Sequence, residues 1–102
     1  MNADDRKALS TIRRCIAADR VALTRHFRVR LVQRGMLWAD VLAVVDTSAV
    51  ARGDGFDDAG RSRWIVTGHA ADGTAIGLVC AIGRDHAGEL TVFVTAFWED
   101  GP

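Results

Sequence analysis

Apolar positions recur every three to four residues along the first 46 positions and every second residue through much of the remainder. Leu9, Ile12 and Ile16, flanked by Ala8 and Cys15, set a helical period over residues 4 to 18, with Asp4 and Asp5 at the end where the helix dipole favours carboxylates. The next stretch, "LTRHFRVRLVQRG" (23–35), supports two periods. Phe27, Val29 and Leu31 alternate as in a strand, whereas Leu23, Phe27 and Leu31 repeat as in a helix. Its boundaries decide between them: Thr24 stands where an N-cap belongs, and Gly35 stands where a chain leaving a helix turns left-handed. A third short helix is predicted over 38–46, with Val41, Leu42 and Val45 on its buried side.

From residue 49 the period becomes that of strands. "SAVAR" reads as a short first strand and "GDGFDDAG" as a loop. Three runs rich in Val, Ile, Thr and aromatics follow, "RSRWIVTGHA", "AIGLVCAIG" and "ELTVFVTAFW". Asp72-Gly73 signals the first hairpin between them, and Gly88 can supply a positive φ in the second. The expected fold is α+β: N-terminal helices packed on one face of a three- to four-stranded antiparallel sheet, the other face partly open. Ile76, Leu78, Cys80 and Ile82 form a face apolar enough to meet the helices, leaving Ala75, Gly77, Val79 and Ala81 on the other. In the preceding strand, Arg63, Ile65 and Thr67 share one side and Trp64, Val66 and Gly68 the opposite one, with either side available to the core.

At 102 residues, with 49% hydrophobic and 25% charged positions, the chain has the size and composition of one globular domain, expected over 1–102. Cys15 and Cys80 form neither a metal-ligand spacing nor a disulfide framework and read as small buried apolar residues. The start, "MNADDRKALS", lacks the basic and apolar character of a signal peptide, so a cytoplasmic location is expected. A formal net charge of zero conceals a polarity along the chain. Residues 1–35 hold nine Lys or Arg against three Asp, a balance of +6, and residues 36–102 hold four Arg against ten acids, a balance of −6. The basic part could meet a polyanion, or the two parts could neutralise each other on folding.

The predicted second helix carries the densest chemistry. His26, Arg30 and Gln33 or Arg34 fall at i, i+4 and i+7 or i+8, on one face. Guanidinium groups at Arg25, Arg28, Arg30 and Arg34 suit phosphate oxygens, and His26 can move a proton near neutral pH. Arg61 and Arg63 enter a strand, Thr95 lies late in the last one, and His69 and His86 sit at turns, where surface positions are the commoner reading. Asp54, Asp57 and Asp58 lack the ligand spacing of a calcium loop, and no zinc spacing, phosphate-cradling glycine loop or nucleophile elbow is present. No metal or small-molecule cofactor is expected. Trp38, Trp64 and Trp98 could stack on bases, but core or interface positions are the commoner use.

Taken in order, Thr24-x-His26-x-x-x-Arg30-x-x-x-Arg34-Gly35-Met36, Arg63-Trp64-Ile65-Val66-x-Gly68, Asp72-Gly73 and Val94-Thr95-Ala96-Phe97 resemble a bacterial family of small domains of unassigned function. That family reads T-x-H-A-x-x-R-M-x-x-R-G-I, then R-Y-x-V-x-G, D-G-x-x-L-H-V-V and V-T-A-Y. The resemblance covers residues 22–100. It implies a RelE-like fold similar to the BrnT and MqsR ribonuclease toxins, cleavage of RNA without a metal, and an antitoxin partner, of zinc-finger type in many cases. By position it assigns catalysis to His26, Arg30, Arg63 and Thr95, and phosphate contacts to Arg34 with Arg25, Arg28 and Arg61 beside them. Two positions depart from the pattern. Gly77 replaces the His of L-H-V-V and Phe97 the Tyr of V-T-A-Y, each removing a group able to carry a proton. The expected function is a toxin-like endoribonuclease. The alternative is a non-catalytic domain whose basic helix docks on an acidic protein or a nucleic acid.

Overall fold

A computed structural model describes residues 1–46 and 49–99. These form three helices and a five-stranded mixed sheet in the order β1-β5-β4-β3-β2. Helix α1 spans Ala3–Ala17 and opens with a capping box, in which the Asn2 side chain accepts from the Asp5 amide and the Asp5 carboxylate accepts from the Asn2 amide. Ala8, Leu9, Thr11, Ile12 and Cys15 form its buried side. No helix among the described residues is long and apolar enough to cross a membrane.

The expected sheet of three to four antiparallel strands needs two corrections. A strand absent from the sequence reading, β1 (Val21–Leu23), lies parallel to β5 with Val21 opposite Thr91 and Leu23 opposite Phe93. Three residues are too few to establish a period, so β1 exists because β5 offers it a ladder. The second correction concerns "GDGFDDAG". Strand β2 spans Val50–Phe56 and takes in the first half of that supposed loop. It does so through a bulge between Gly53 and Phe56, with Gly55 at φ +77° supplying the left-handed residue. Ser48 of the expected strand lies outside the described residues. Strands β3 (Ser62–His69), β4 (Ala75–Asp85) and β5 (Gly88–Trp98) follow as the predicted antiparallel meander.

Helix α2 (Arg25–Gln33) is held at both ends as its boundary residues foretold. The Thr24 hydroxyl accepts from the Phe27 amide at 3.0 Å and donates to the Val94 carbonyl at 3.0 Å, capping the helix and tying it to β5 with one group. At the other end the Gly35 amide donates to Val32 and the Met36 amide to Leu31, the pair of bonds of a Schellman turn, with Gly35 at φ +64°. Helix α3 (Trp38–Asp46) follows directly, and the Asp40 carboxylate accepts from the Leu37 amide at 2.8 Å.

The helices cover one sheet face. Phe27 from α2, Trp38 from α3 and Phe93 from β5 meet at centroid distances of 5.4 to 6.5 Å, and Leu9, Ile12, Val41, Val44, Val66, Ile76, Leu78 and Cys80 continue the core. Cys15 and Cys80 are buried and unbridged, and burial pushes the Cys80 thiol well above its ordinary value. Thr91 is fully buried with no hydrogen-bond partner for its hydroxyl among the described residues. Thr91→Val keeps the shape and removes the unpaired group, so it is expected to raise stability by about 1 kcal/mol, read as a higher urea midpoint at unchanged m.

Candidate polyanion-binding surface

Phe27 is buried and Leu31 half-buried against the core, which fixes the roll of α2 and turns Arg25, His26, Arg28, Val29, Val32 and Gln33 to solvent. Arg30 is half-buried at the flank. Its Nε donates to His26 Nε2 at 3.5 Å and its Nη1 to Gln33 Oε1 at 3.0 Å, so the predicted i, i+4, i+7 group is joined on one face. That bond sets Nε2 of His26 as the accepting nitrogen. Arg34 does not follow them outward. It is half-buried, with a buried Nε that has no partner among the described residues.

The two oppositely charged parts of the chain do not neutralise each other on this helix. The ion pairs among the described residues are Arg14 with Glu89 at 3.5 Å, Arg20 with Asp85, Arg61 with Asp57 at 2.6 Å and Arg63 with Asp54 at 3.4 Å. None of Arg25, Arg28, Arg30 and Arg34 has a carboxylate partner there. The Arg20 bond is the main reason the Asp85 carboxyl is held below its usual range. Desolvation raises the Asp57 carboxyl, but the Arg61 backbone amide and guanidinium outweigh it and bring it below the ordinary value.

Arg61, Arg63 and Thr95 lie on the other side of the sheet. Arg63 faces Ala81, Ile65 faces Val79 and Val79 faces Thr95, all alternating with the core-facing Trp64, Cys80 and Ala96. Arg61 lays its aliphatic stem over Gly83 on the same side. The eight predicted site residues are thus divided into an α2 group of five and a sheet-face group of three, with the sheet between them. Within the second group both arginines are occupied by acids. The partners Asp54 and Asp57 were legible only as part of an acidic loop without metal-ligand spacing. The Asx turn that binds Asp57 to the amides of Ala59 and Arg61 was the available signal, an Asp two residues before a small residue and four before Arg.

Gly77 and Phe97, the two departures from the family pattern, are register partners on that same face. The Phe97 ring lies over the glycine, with its Cζ 2.2 Å from where a Gly77 Cβ would stand. His69 and His86 are exposed at strand ends and turns. Trp38 and Trp98, both partly buried, pack against the core cluster, and the Trp64 indole N–H donates to the Ser62 hydroxyl at 3.0 Å. Among the described residues no three His, Cys, Asp or Glu side chains gather as a metal-binding group.

Fold and surface together define a two-layer α+β domain that presents an uncompensated basic helix. The chain belongs to the DUF4258 family, a domain of unknown function, matched over residues 23–98. No curated protein matches it. The matched stretch runs from the end of β1 to the end of β5. It leaves out α1, although Leu9 and Ile12 of that helix belong to the common core.

Proposed function

We propose that this domain is a RelE-like, toxin-type endoribonuclease, cleaving RNA without a metal and held in check by an antitoxin, with its reactive centre on α2. The observation that carries this reading is the His26–Arg30 pair on a helix whose three arginines, with Arg34 at its C-cap, have no carboxylate partner among the described residues. The family resemblance supports it, as does the succession of two helices and an antiparallel meander. In the reaction, Arg30 turns from the imidazole to the phosphate, the RNA 2′-oxygen attacks the adjacent phosphorus, and its proton passes to the His26 Nε2 lone pair that Arg30 has released. The bond from phosphorus to the 5′-oxygen of the next nucleotide breaks, that oxygen takes a proton from water, and a 2′,3′-cyclic phosphate is left. Arg30 and its neighbours stabilise the charge that gathers on the non-bridging oxygens, a role guanidinium fills without titrating. Arg63 and Thr95, on the far sheet face, take no part in this centre.

A second reading, binding without cleavage, is favoured by Gly77 and Phe97, which leave the sheet face without the proton carriers of the family pattern. The test is incubation of the purified protein with single-stranded RNA in EDTA, with parallel expression in a bacterial host. Cyclic-phosphate ends and growth arrest are expected. Intact RNA, bound with a log–log salt slope of about −0.7 per phosphate contact, replaces the first reading with the second. Neither cleavage nor binding removes both.

A further inference from the structure

The outer crest of α2 carries side chains that its own local structure disfavours. Val29 and Val32 are 42% and 82% exposed, and β-branched residues gain nothing on a solvent-facing helix. Leu37, 69% exposed, occupies the N-cap of α3, where a side-chain oxygen would bind a free amide and leucine offers none. Arg25 and Arg28 stand in the first turn of α2, which contains no acid, although the helix dipole favours carboxylates there. Arg25, Arg28, Val29 and Val32 fall within an arc of about 100° at 3.6 residues per turn, and Leu37 follows in the chain four residues beyond the last residue of the helix. Phe27 and Leu31 already close the core beneath, so folding does not require this apolar surface. Clustered breaches of local preference of this kind mark a surface kept for something outside the chain.

We propose that this crest docks an acidic, amphipathic segment of a partner protein, aliphatic side chains against Val29, Val32 and Leu37 and carboxylates on Arg25 and Arg28. Charge complementarity selects the sign of the partner, since both arginines lack a carboxylate among the described residues. The three aliphatic groups select protein over RNA, because they neither stack on bases nor bond to phosphate. A second copy of this chain is a poor match. Its exposed Phe56 lies close in sequence to Asp54, Asp57 and Asp58, but Arg61 and Arg63 already occupy two of those acids. The proposal does not rest on the ribonuclease reading: His26, Arg30 and Gln33 lie on the adjoining flank.

The probe is a fluorescein-labelled helical peptide of Leu and Glu, with Leu at i, i+4 and i+7, compared by anisotropy with a scrambled peptide of equal composition. The full chain is expected to bind the amphipathic peptide at least tenfold more tightly than the scrambled one. Val32→Ser is expected to weaken binding about tenfold, through the loss of one buried aliphatic group. Leu37→Asn gives the α3 N-cap an oxygen, so it should raise the melting temperature while weakening the peptide, opposite signs that a general folding defect cannot produce. Equal binding of both peptides overturns the proposal, as does unchanged affinity in the two variants. A wild-type dimer in sedimentation that Val32→Ser converts to monomer overturns it in favour of a second copy as occupant.

Discussion

His26→Ala is expected to lower RNA cleavage by about 10²- to 10⁴-fold, the usual worth of a positioned proton carrier, while leaving RNA affinity within about twofold. The separation of rate from affinity follows from the geometry. His26 is an exposed imidazole bonded among the described residues to Arg30, and the charges that would hold RNA are guanidinium groups on neighbouring turns. Arg30→Ala should lower both rate and affinity, because it removes a phosphate contact and the bond that fixes the His26 ring. Both side chains lie outside the core, so melting temperatures should stay within about 2 °C of wild type. Undiminished cleavage in His26→Ala would move the proton transfer elsewhere and dismiss α2 as the reactive centre.

Gly68→Ala is expected to be the most damaging methyl group in the sheet, costing about 3 kcal/mol and lowering the melting temperature by more than about 10 °C. Gly68 on β3 packs directly beneath α3. A Cβ there would stand 2.6 Å from the Val44 carbonyl oxygen and 3.2 Å from Val44 Cγ1. Backbone oxygen cannot step aside, so the helix would have to lift from the sheet and part Val41, Val44 and Val45 from Val66 and Ile76. Gly77 makes the instructive contrast. Its Cβ would come nearer still to another atom, 2.2 Å, but that atom is the tip of the half-buried Phe97 ring, which can swing outward. Gly77→Ala should therefore cost about 1 kcal/mol, and Phe97→Ala should make it nearly silent. If denaturant midpoints rank Gly77→Ala below Gly68→Ala, the packing described for α3 is wrong.

The parts of the fold legible in the sequence were those specified by nearby residues. Thr24 and Gly35 marked α2 because a cap and a left-handed exit are local devices, and alternation in β4 identified Ile76, Leu78, Cys80 and Ile82 as the core face. Strand β1 was not legible, since Val21–Leu23 becomes a strand only when β5 arrives beside it. The second half of β2 was hidden by Gly53, Asp54 and Gly55, residues read as a loop that instead form a bulge against β3. The same division holds for the candidate site. The His26, Arg30 and Gln33 group came from spacing on one helix. The separation of Arg63 and Thr95 from it depends on which side of a strand faces the helices, and alternation alone left that open. Nor does spacing reveal which cations are already satisfied: Asp57 reaches Arg61 through a turn, and Asp54 reaches Arg63 across two strands.

The attachment of α2 to β5 has a kinetic consequence. The hydroxyl that caps the helix is anchored to a carbonyl 70 residues further along, and β1 waits for the same late strand. During synthesis the basic segment therefore leaves the ribosome long before the strand that will seat it, and remains a loosely formed helix until β5 has emerged. Loop closure over such a separation is slow compared with local helix formation. The ordered arginine array thus comes into being only once β5 has been made, rather than when its own residues are translated.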